Sequence, residues 1–321
     1  MLLQKITGGS RKTFLLGLLT ILPAILFLSG LLLGEYIWWL DYINHLRILF
    51  GFIFFFLIII ASLFQFWFGA FLSFGMSTVI ILSVSNLFFQ PTHQKSKESD
   101  AKIVLFNVYR DNQDKTKVIN YITSINPHLF IIQEINFQWQ PYLKKLDNHY
   151  SFKKTIFSDD GLGLGIYSHF PFKDLKIIKL IHDMPSILVT CISSLGTFHL
   201  LNLHAFPPLG KQRSQWRNTQ FDQVAQALNQ LNGPKLLVGD LNTTPWSPFF
   251  KKLLQATELQ DSSNGYGWQP SWPAIGFFPP LITIDHVLYS KQIHITNRKT
   301  HTFNLGSDHL PVEITFTLNQ R

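Results

Sequence analysis

"KLLVGDLNTTPWSPFF", residues 235 to 250, carries the reading of the fold. Leu236 to Val238 form an apolar run of the buried-strand type, which ends at Gly239, Asp240 and Asn242 before a turn rich in Thr and Pro. A carboxylate at the end of a buried run is costly to desolvate unless it is paired, hydrogen-bonded or bound to a metal. Taken alone, Asp240 with Asn242 reads as an Asx-turn, or as a cap for a helix near Trp246.

The same ending recurs along the chain. Asn107 ends "KIVLFN", Glu134 ends "LFIIQE", His204 ends "LLNLH", Asp285 follows "LITI", and Asp308 and His309 stand in "GSDHLP". Strand-like runs fall at 102–108, 128–134, 163–168, 186–192, 197–204, 235–240, 283–290 and 311–318, with helix-like segments near 114–125, 138–147, 212–231 and 246–256. So many strands with few helices predict stacked sheets covered by helices, not a regular βαβ repeat. Singly, each polar ending has a plain structural reading: Glu134 as a surface residue, His204 as a satisfied rim histidine. "GLGLG" (161–165) reads as a Gly-rich hairpin and not as a phosphate cradle, since no helix start follows it. Their joint order points to one shared site at an edge of the sheets.

Before Pro91 the chain is of another kind. "FLLGLLTILPAILFLSGLLL", Phe14 to Leu33, carries no charge, and none occurs again between Arg47 and Lys95. A spanning helix needs about 20 apolar residues. The first stretch therefore fits one helix and the second fits two, giving expected spans at 14–34, 47–65 and 69–89 with a turn near Gln65 to Gly69. The first run exceeds the roughly 7–15 residues of a signal-peptide core, and no small-x-small site follows it, which favours a retained helix. Lys5, Arg11 and Lys12 place the N-terminus in the cytoplasm. Three crossings of the inner (cytoplasmic) membrane would put everything after Pro91 outside it; two or four would reverse that. Lys95, Lys97 and Lys102, just after the last span, argue mildly against three.

The formal net charge is +8, of which residues 1–90 hold +2 (Lys5, Arg11, Lys12 and Arg47 against Glu35 and Asp41), leaving +6 for the rest. That favours an anionic or phosphate-bearing partner without specifying nucleic acid. One cysteine, Cys191, excludes an internal disulfide and a metal-thiolate cluster. Residues 91–101 read as a polar linker and 102–321 as the functional domain. No protein partner is evident.

The series "FNV", "IIQE", "GLGIYSHFP", "LNLHAFPP", "VGDLNTTP", "TIDHVLYS" and "GSDHLPV" resembles, in order and spacing, the endonuclease/exonuclease/phosphatase superfamily, over roughly residues 101 to 319. The resemblance implies an α/β four-layer αββα sandwich and a divalent-metal phosphoester hydrolase. It implies Glu134 as the main ligand for Mg²⁺ (or Mn²⁺), with Asn107 and Asp308 nearby. It implies that His309, oriented by Asp285, or Asp240 activates the water, a choice left open here. Asn242 would donate to a phosphate oxygen, and His204 would stabilise developing charge or protonate the leaving oxygen. Asp159 and Asp160 are positional candidates for an acidic partner of His204. Arg217 reads either as a phosphate contact or as a solvated helix arginine.

"NGYGWQPSWPAIGFFPP" (264–280), with Trp268, Trp272, Phe277 and Phe278, reads either as a self-packed loop or as a membrane-facing wall of the site. Tethering favours a lipid or envelope phosphoester over a nucleotide or nucleic acid as substrate. The rival readings are a membrane-anchored nuclease and a non-catalytic binding module that keeps the fold.

Overall fold

The computed structural model describes residues 2–89, 100–274, 281–303 and 305–319, which divide into two compact units, one spanning 1–86 and the other most of 87–321. Most of the 91–101 linker, and Phe277 and Phe278, lie outside the described residues.

The first unit contains α1 (Leu2–Leu33), α2 (Asp41–His45), α3 (Arg47–Leu63) and α4 (Trp67–Val84). Two of its buried polar side chains, Asn44 and Arg47, bond to each other and to the backbone. Asn44 Nδ2 donates to Gly30 O at 2.9 Å, and Arg47 Nη2 to Asn44 Oδ1 at 2.7 Å. Phe27 packs its ring on Phe50 and Phe54, while Leu22, Phe55, Phe71 and Leu82 stand exposed. Two helices, Arg11–Leu33 and Trp67–Leu87, are long and apolar enough to cross a membrane. The expected middle span is a third only if α3 is joined to Trp38–His45 across a 66° bend. Its apolar run is broken at Phe64–Phe66, where Gln65 takes a left-handed φ of 56°.

In the second unit the chain forms β1 (Ala101–Asn107), α5 (Lys115–Ile125), β2 (Leu129–Gln133), α6 (Gln140–Leu143), β3 (Phe152–Ile156), β4 (Leu164–Ser168), β5 (Phe172–Lys179), β6 (Pro185–Ser193) and β7 (Gly196–Asn202). It continues through α7 (Lys211–Asn229), β8 (Lys235–Asp240), α8 (Pro248–Thr257), β9 (Gln260–Asp261), β10 (Asp285–Tyr289), β11 (Ile293–Thr300) and β12 (Val312–Leu318). The strands make two mixed sheets, in the orders β11-β12-β1-β2-β4-β3 and β5-β6-β7-β8-β10-β9. Each sheet holds one parallel pair, β1 with β2 and β7 with β8.

Side-chain alternation builds the layers. Ile103, Leu105, Ile131 and Ile166 of one sheet meet Val189, Leu200, Val238 and Val287 of the other in the central core. The opposite faces are covered in turn: Val104, Phe106 and Phe130 pack on Val118, Ile122 and Trp139, and Leu201, Leu237 and Leu288 pack on Phe221, Val224 and Phe250. This is the expected four-layer αββα sandwich. Strands such as β1 and β8 are buried on both faces, which is why they read as unbroken apolar runs.

The strands that the apolar runs do not reveal are β3, β5, β11 and the two-residue β9. "FKKTI" and "FKDLKIIK" are sheet edges carrying exposed lysines, a pattern that discourages pairing with other chains and erases the apolar signal. The helix expected over 138–147 is instead a 3₁₀ turn, one turn of α-helix and a second 3₁₀ turn.

Candidate active site

Strand register assembles the site. In the antiparallel pair β8–β10, Asp240 lies directly opposite Asp285, and in the parallel pair β1–β2, Asn107 lies opposite Gln133, one residue before Glu134. His204 comes two residues after β7, so it stands past the strand that was expected to end on it. The chain just past β7 runs so close to β8 that a Cβ at Gly239 would collide with Leu203 O, and in the other sheet a Cβ at Gly163, before β4, would collide with Ile135 O, past β2.

Asn107 Nδ2 donates to Glu134 Oε1 at 2.9 Å and to Asp240 Oδ2 at 3.1 Å, bridging the two sheets. Glu134 Oε2 also accepts from the Arg110 amide at 3.4 Å. His204 Nε2 lies 3.8 Å from Glu134 Oε1 and 3.6 Å from Asp240 Oδ2. From the other side His309 Nε2 lies 3.7 Å from Asp240 Oδ2, while its Nδ1 meets Asp285 Oδ2 at 2.9 Å.

Two carboxylates facing each other across a ladder repel one another, and both are almost wholly buried. His309 sits against both. Burial works against its charge, but Asp285 and Asp240 outweigh that and push the ring up to about 10. Burial raises Asp240 and the neighbouring Asp285 raises it further; the attraction of His309 and His204 and the bond from Asn242 offset this only in part, leaving it at about 6. Burial would raise Asp285 as well, but its bond and charge contact with His309 hold it below the ordinary carboxylate range.

The loop after β8 is the Asx-turn read in the sequence, with Asn242 N donating to Asp240 Oδ1 at 2.8 Å. The helix beyond starts at Pro248 and not at Trp246. Asn242 has φ 48° and Glu134 φ 61°, left-handed values that non-glycine residues hold at a cost of about 1–3 kcal/mol and that cluster at functional sites. Asn242 Nδ2 donates to Ala205 O at 3.0 Å. Arg217 is neither solvated nor at the rim: it is 1% exposed, lies over the Phe249 ring and donates from Nη1 to Asn242 O at 3.4 Å.

Asp160 does not brace His204, because its Oδ1 accepts from Ser158 Oγ and Leu162 N within its own loop. His204 Nδ1 is buried and has no hydrogen-bond partner among the described residues. Asp308 Oδ2 accepts from Trp272 Nε1 at 3.2 Å, and its charge is among those that raise His309.

Three further residues support the site. Gln133 Oε1 accepts from the Asp240 amide at 2.8 Å, while its Nε2 donates to Leu203 O and Asn202 Oδ1. Ser307 Oγ donates to Asn107 O at 2.7 Å and accepts from His309 N at 3.0 Å. The His286 ring pairs through Nε2 with Thr243 O at 2.9 Å, fixing the turn from behind. Gln133 and Ser307 stand inside the strings "IIQE" and "GSDH", where their polarity next to a site residue was the available signal.

Glu134, His204 and Asp240 each offer a ligand atom, and these lie within 4.8 Å of one another; the same holds for Asp240, Asp285 and His309. Buried carboxylates outnumbering their cations, with oxygen donors predominant, suit a hard divalent cation.

The curated UPF0294 protein of Vibrio campbellii is 23% identical over 239 residues, 70% of this chain and 80% of its own length. The human Nocturnin catalytic domain with bound sulfate superposes with a TM-score of 0.55 at 18% identity, covering 71% of this chain and 96% of its own. D. rerio TDP2 complexed with a single strand DNA product gives 0.56 at 18% identity over 68% of this chain and all of its own. An endonuclease/exonuclease/phosphatase from Beutenbergia cavernae gives 0.56 at 17%, covering 69% and 72%. At these identities the structures speak for the fold. The description "Endonuclease/Exonuclease/phosphatase family" matches residues 104–309, close to two thirds of the chain. The chain belongs to the endonuclease/exonuclease/phosphatase family, whose members are phosphoester hydrolases.

Proposed function

We propose that this chain is a membrane-tethered, divalent-metal-dependent phosphoester hydrolase acting on a lipid or envelope phosphoester, organised as an anchor (1–90), a linker (91–101) and a catalytic domain (102–321). The observation that carries the chemistry is the line Asp285–His309–Asp240, with His204 and Glu134 on its far side.

Glu134 would hold Mg²⁺ or Mn²⁺, with Asn107 and Asp308 beside it. When bound, the cation supplies Lewis-acid stabilisation of charge on the phosphoryl oxygen. Of the two candidate bases, Asp240 is the better. Held at about 6, it is ionised at neutral pH yet basic enough to take a proton from the attacking water, whereas His309 at about 10 already carries its proton. His309 then donates to a non-bridging phosphoryl oxygen, and Asp285 keeps it charged and oriented. His204, whose Nε2 faces Asp240 and Glu134, meets the phosphate from the opposite side and serves the leaving oxygen. Asn242, aimed by its turn and by Arg217, donates to the phosphate as well.

Two helices long and apolar enough to cross a membrane support the tethering, and with three crossings of the inner membrane the catalytic domain lies outside the cytoplasm. The test is a substrate panel of phospholipid vesicles, plasmid, short DNA and inositol phosphates, with Mg²⁺ and with chelator. Chelator-sensitive hydrolysis of a phospholipid is the expected outcome. Cleavage of DNA alone would replace this reading with a tethered nuclease, and no turnover of any of them would leave a binding module.

A further inference from the structure

Four of the nine large apolar side chains exposed on the second unit, among its described residues, follow or precede a site residue by five positions or fewer: Tyr109, two residues after Asn107; Phe137, three after Glu134; Leu209, five after His204; and Leu281, four before Asp285. Scattered exposed apolar residues are ordinary, but a set gathered around one polar site marks an interaction surface.

Leu209 is the most exposed of them, at 71%. It is not on a slack loop. Its amide donates to Pro207 O at 2.8 Å, and Ser214 Oγ bonds Pro208 O at 3.2 Å and Gly210 O at 2.9 Å, tying the Pro-Pro-Leu-Gly tip to the first turn of α7. Phe206 and Trp216 back the tip with ring centroids 5.2 Å apart. Lys211 and Arg213 follow at once, in a first turn that holds no acidic residue. Cations there oppose the helix dipole, and neither makes an ion pair among the described residues. An anionic partner would remove that penalty, and the chain's own membrane-length helices name the one at hand.

We propose that the rim around Leu209 docks on an anionic phospholipid bilayer, with Leu209 immersed and Lys211 and Arg213 at the headgroups. This rests on the lipid reading of the site and adds how a lipid phosphoester reaches it: the apolar rim meets the bilayer while the polar floor receives the headgroup. A basic flank beside an apolar tip is the combination that binds anionic interfaces.

The test uses the full chain with Leu209→Cys, labelled with an environment-sensitive dye. Cys191, the native cysteine, is fully buried and so leaves position 209 as the reactive thiol. The protein is reconstituted into phosphatidylcholine vesicles with or without phosphatidylglycerol. The expected result is a blue-shifted emission quenched by doxyl-labelled lipid when phosphatidylglycerol is present, weakened in its absence and lost on adding Lys211→Glu and Arg213→Glu. A dye that stays water-like and unquenched in the anionic vesicles overturns the proposal, as does quenching indifferent to both lipid charge and charge reversal. Because the readout is not activity, quenching without phospholipid hydrolysis would sink the lipid-hydrolase reading and leave the docking standing.

Discussion

Two histidines approach the same oxygen of Asp240, His309 at 3.7 Å and His204 at 3.6 Å, but only one of them is braced. Behind His309, Asp285 accepts at 2.9 Å; behind His204, Nδ1 is buried with no partner among the described residues. A carboxylate behind an imidazole fixes its tautomer, its orientation and its charge. The difference therefore divides the labour. His309 is built as a standing cation, whereas His204 is left to be organised by what binds between it and Glu134.

Breaking the centre should cost most. Asp240→Asn keeps the shape and removes the proton acceptor, so steady-state rates on a simple diester should fall by about 10⁴-fold, the upper range for general base catalysis. Removing the brace comes next. Asp285→Asn should lower the rate by about 10³-fold, within the range for a positioned acid–base group. His204→Ala, with no carboxylate bracing its Nδ1 among the described residues, should cost less, about 10²-fold. If His204→Ala proved more damaging than Asp285→Asn, the division of labour would be reversed.

Gln133→Ala should act through position alone. It deprives the Asp240 amide of its acceptor, so the unfolding free energy should drop by about 1–3 kcal/mol in a thermal or denaturant melt, with a smaller rate loss than any of the above. The smallest effect lies away from the site, in His128 and His169. Burial first, then neighbouring charge, lowers both rings below 6.5. Above 6.5 neither the folded nor the unfolded chain protonates them. As pH falls below it, the unfolded chain takes up protons that the folded chain resists, so stability declines. His128→Gln with His169→Gln should flatten the melting temperature between pH 7.5 and 5.5.

The sandwich was legible because its central strands are buried on both faces, so "KIVLFN" and "KLLVGD" could be nothing else. The edge strands β3, β5 and β11 were not, because an exposed edge trades apolar residues for lysines. At the site, the strand endings at Asn107, Glu134, Asp240, Asp285 and His309 were readable as costly polar groups on apolar runs. The burial of Arg217 was not, since "KQRSQWRNTQ" carries no apolar periodicity that would mark one face as interior. Nor was the missing partner of His204: sequence order offers Asp159 and Asp160, and only the loop geometry shows Asp160 bonded to its own turn.

In the proposed mechanism Asp240, charged at neutral pH and held between two histidines, drives a metal-dependent phosphoester hydrolysis. The most direct measurement is the rate at which the purified full-length protein hydrolyses bis(4-nitrophenyl) phosphate, for the wild type and for Asp240→Asn, each with Mg²⁺ and with chelator. Turnover should require Mg²⁺ in the wild type and be almost abolished in the variant. Wild-type turnover by Asp240→Asn would contradict the mechanism.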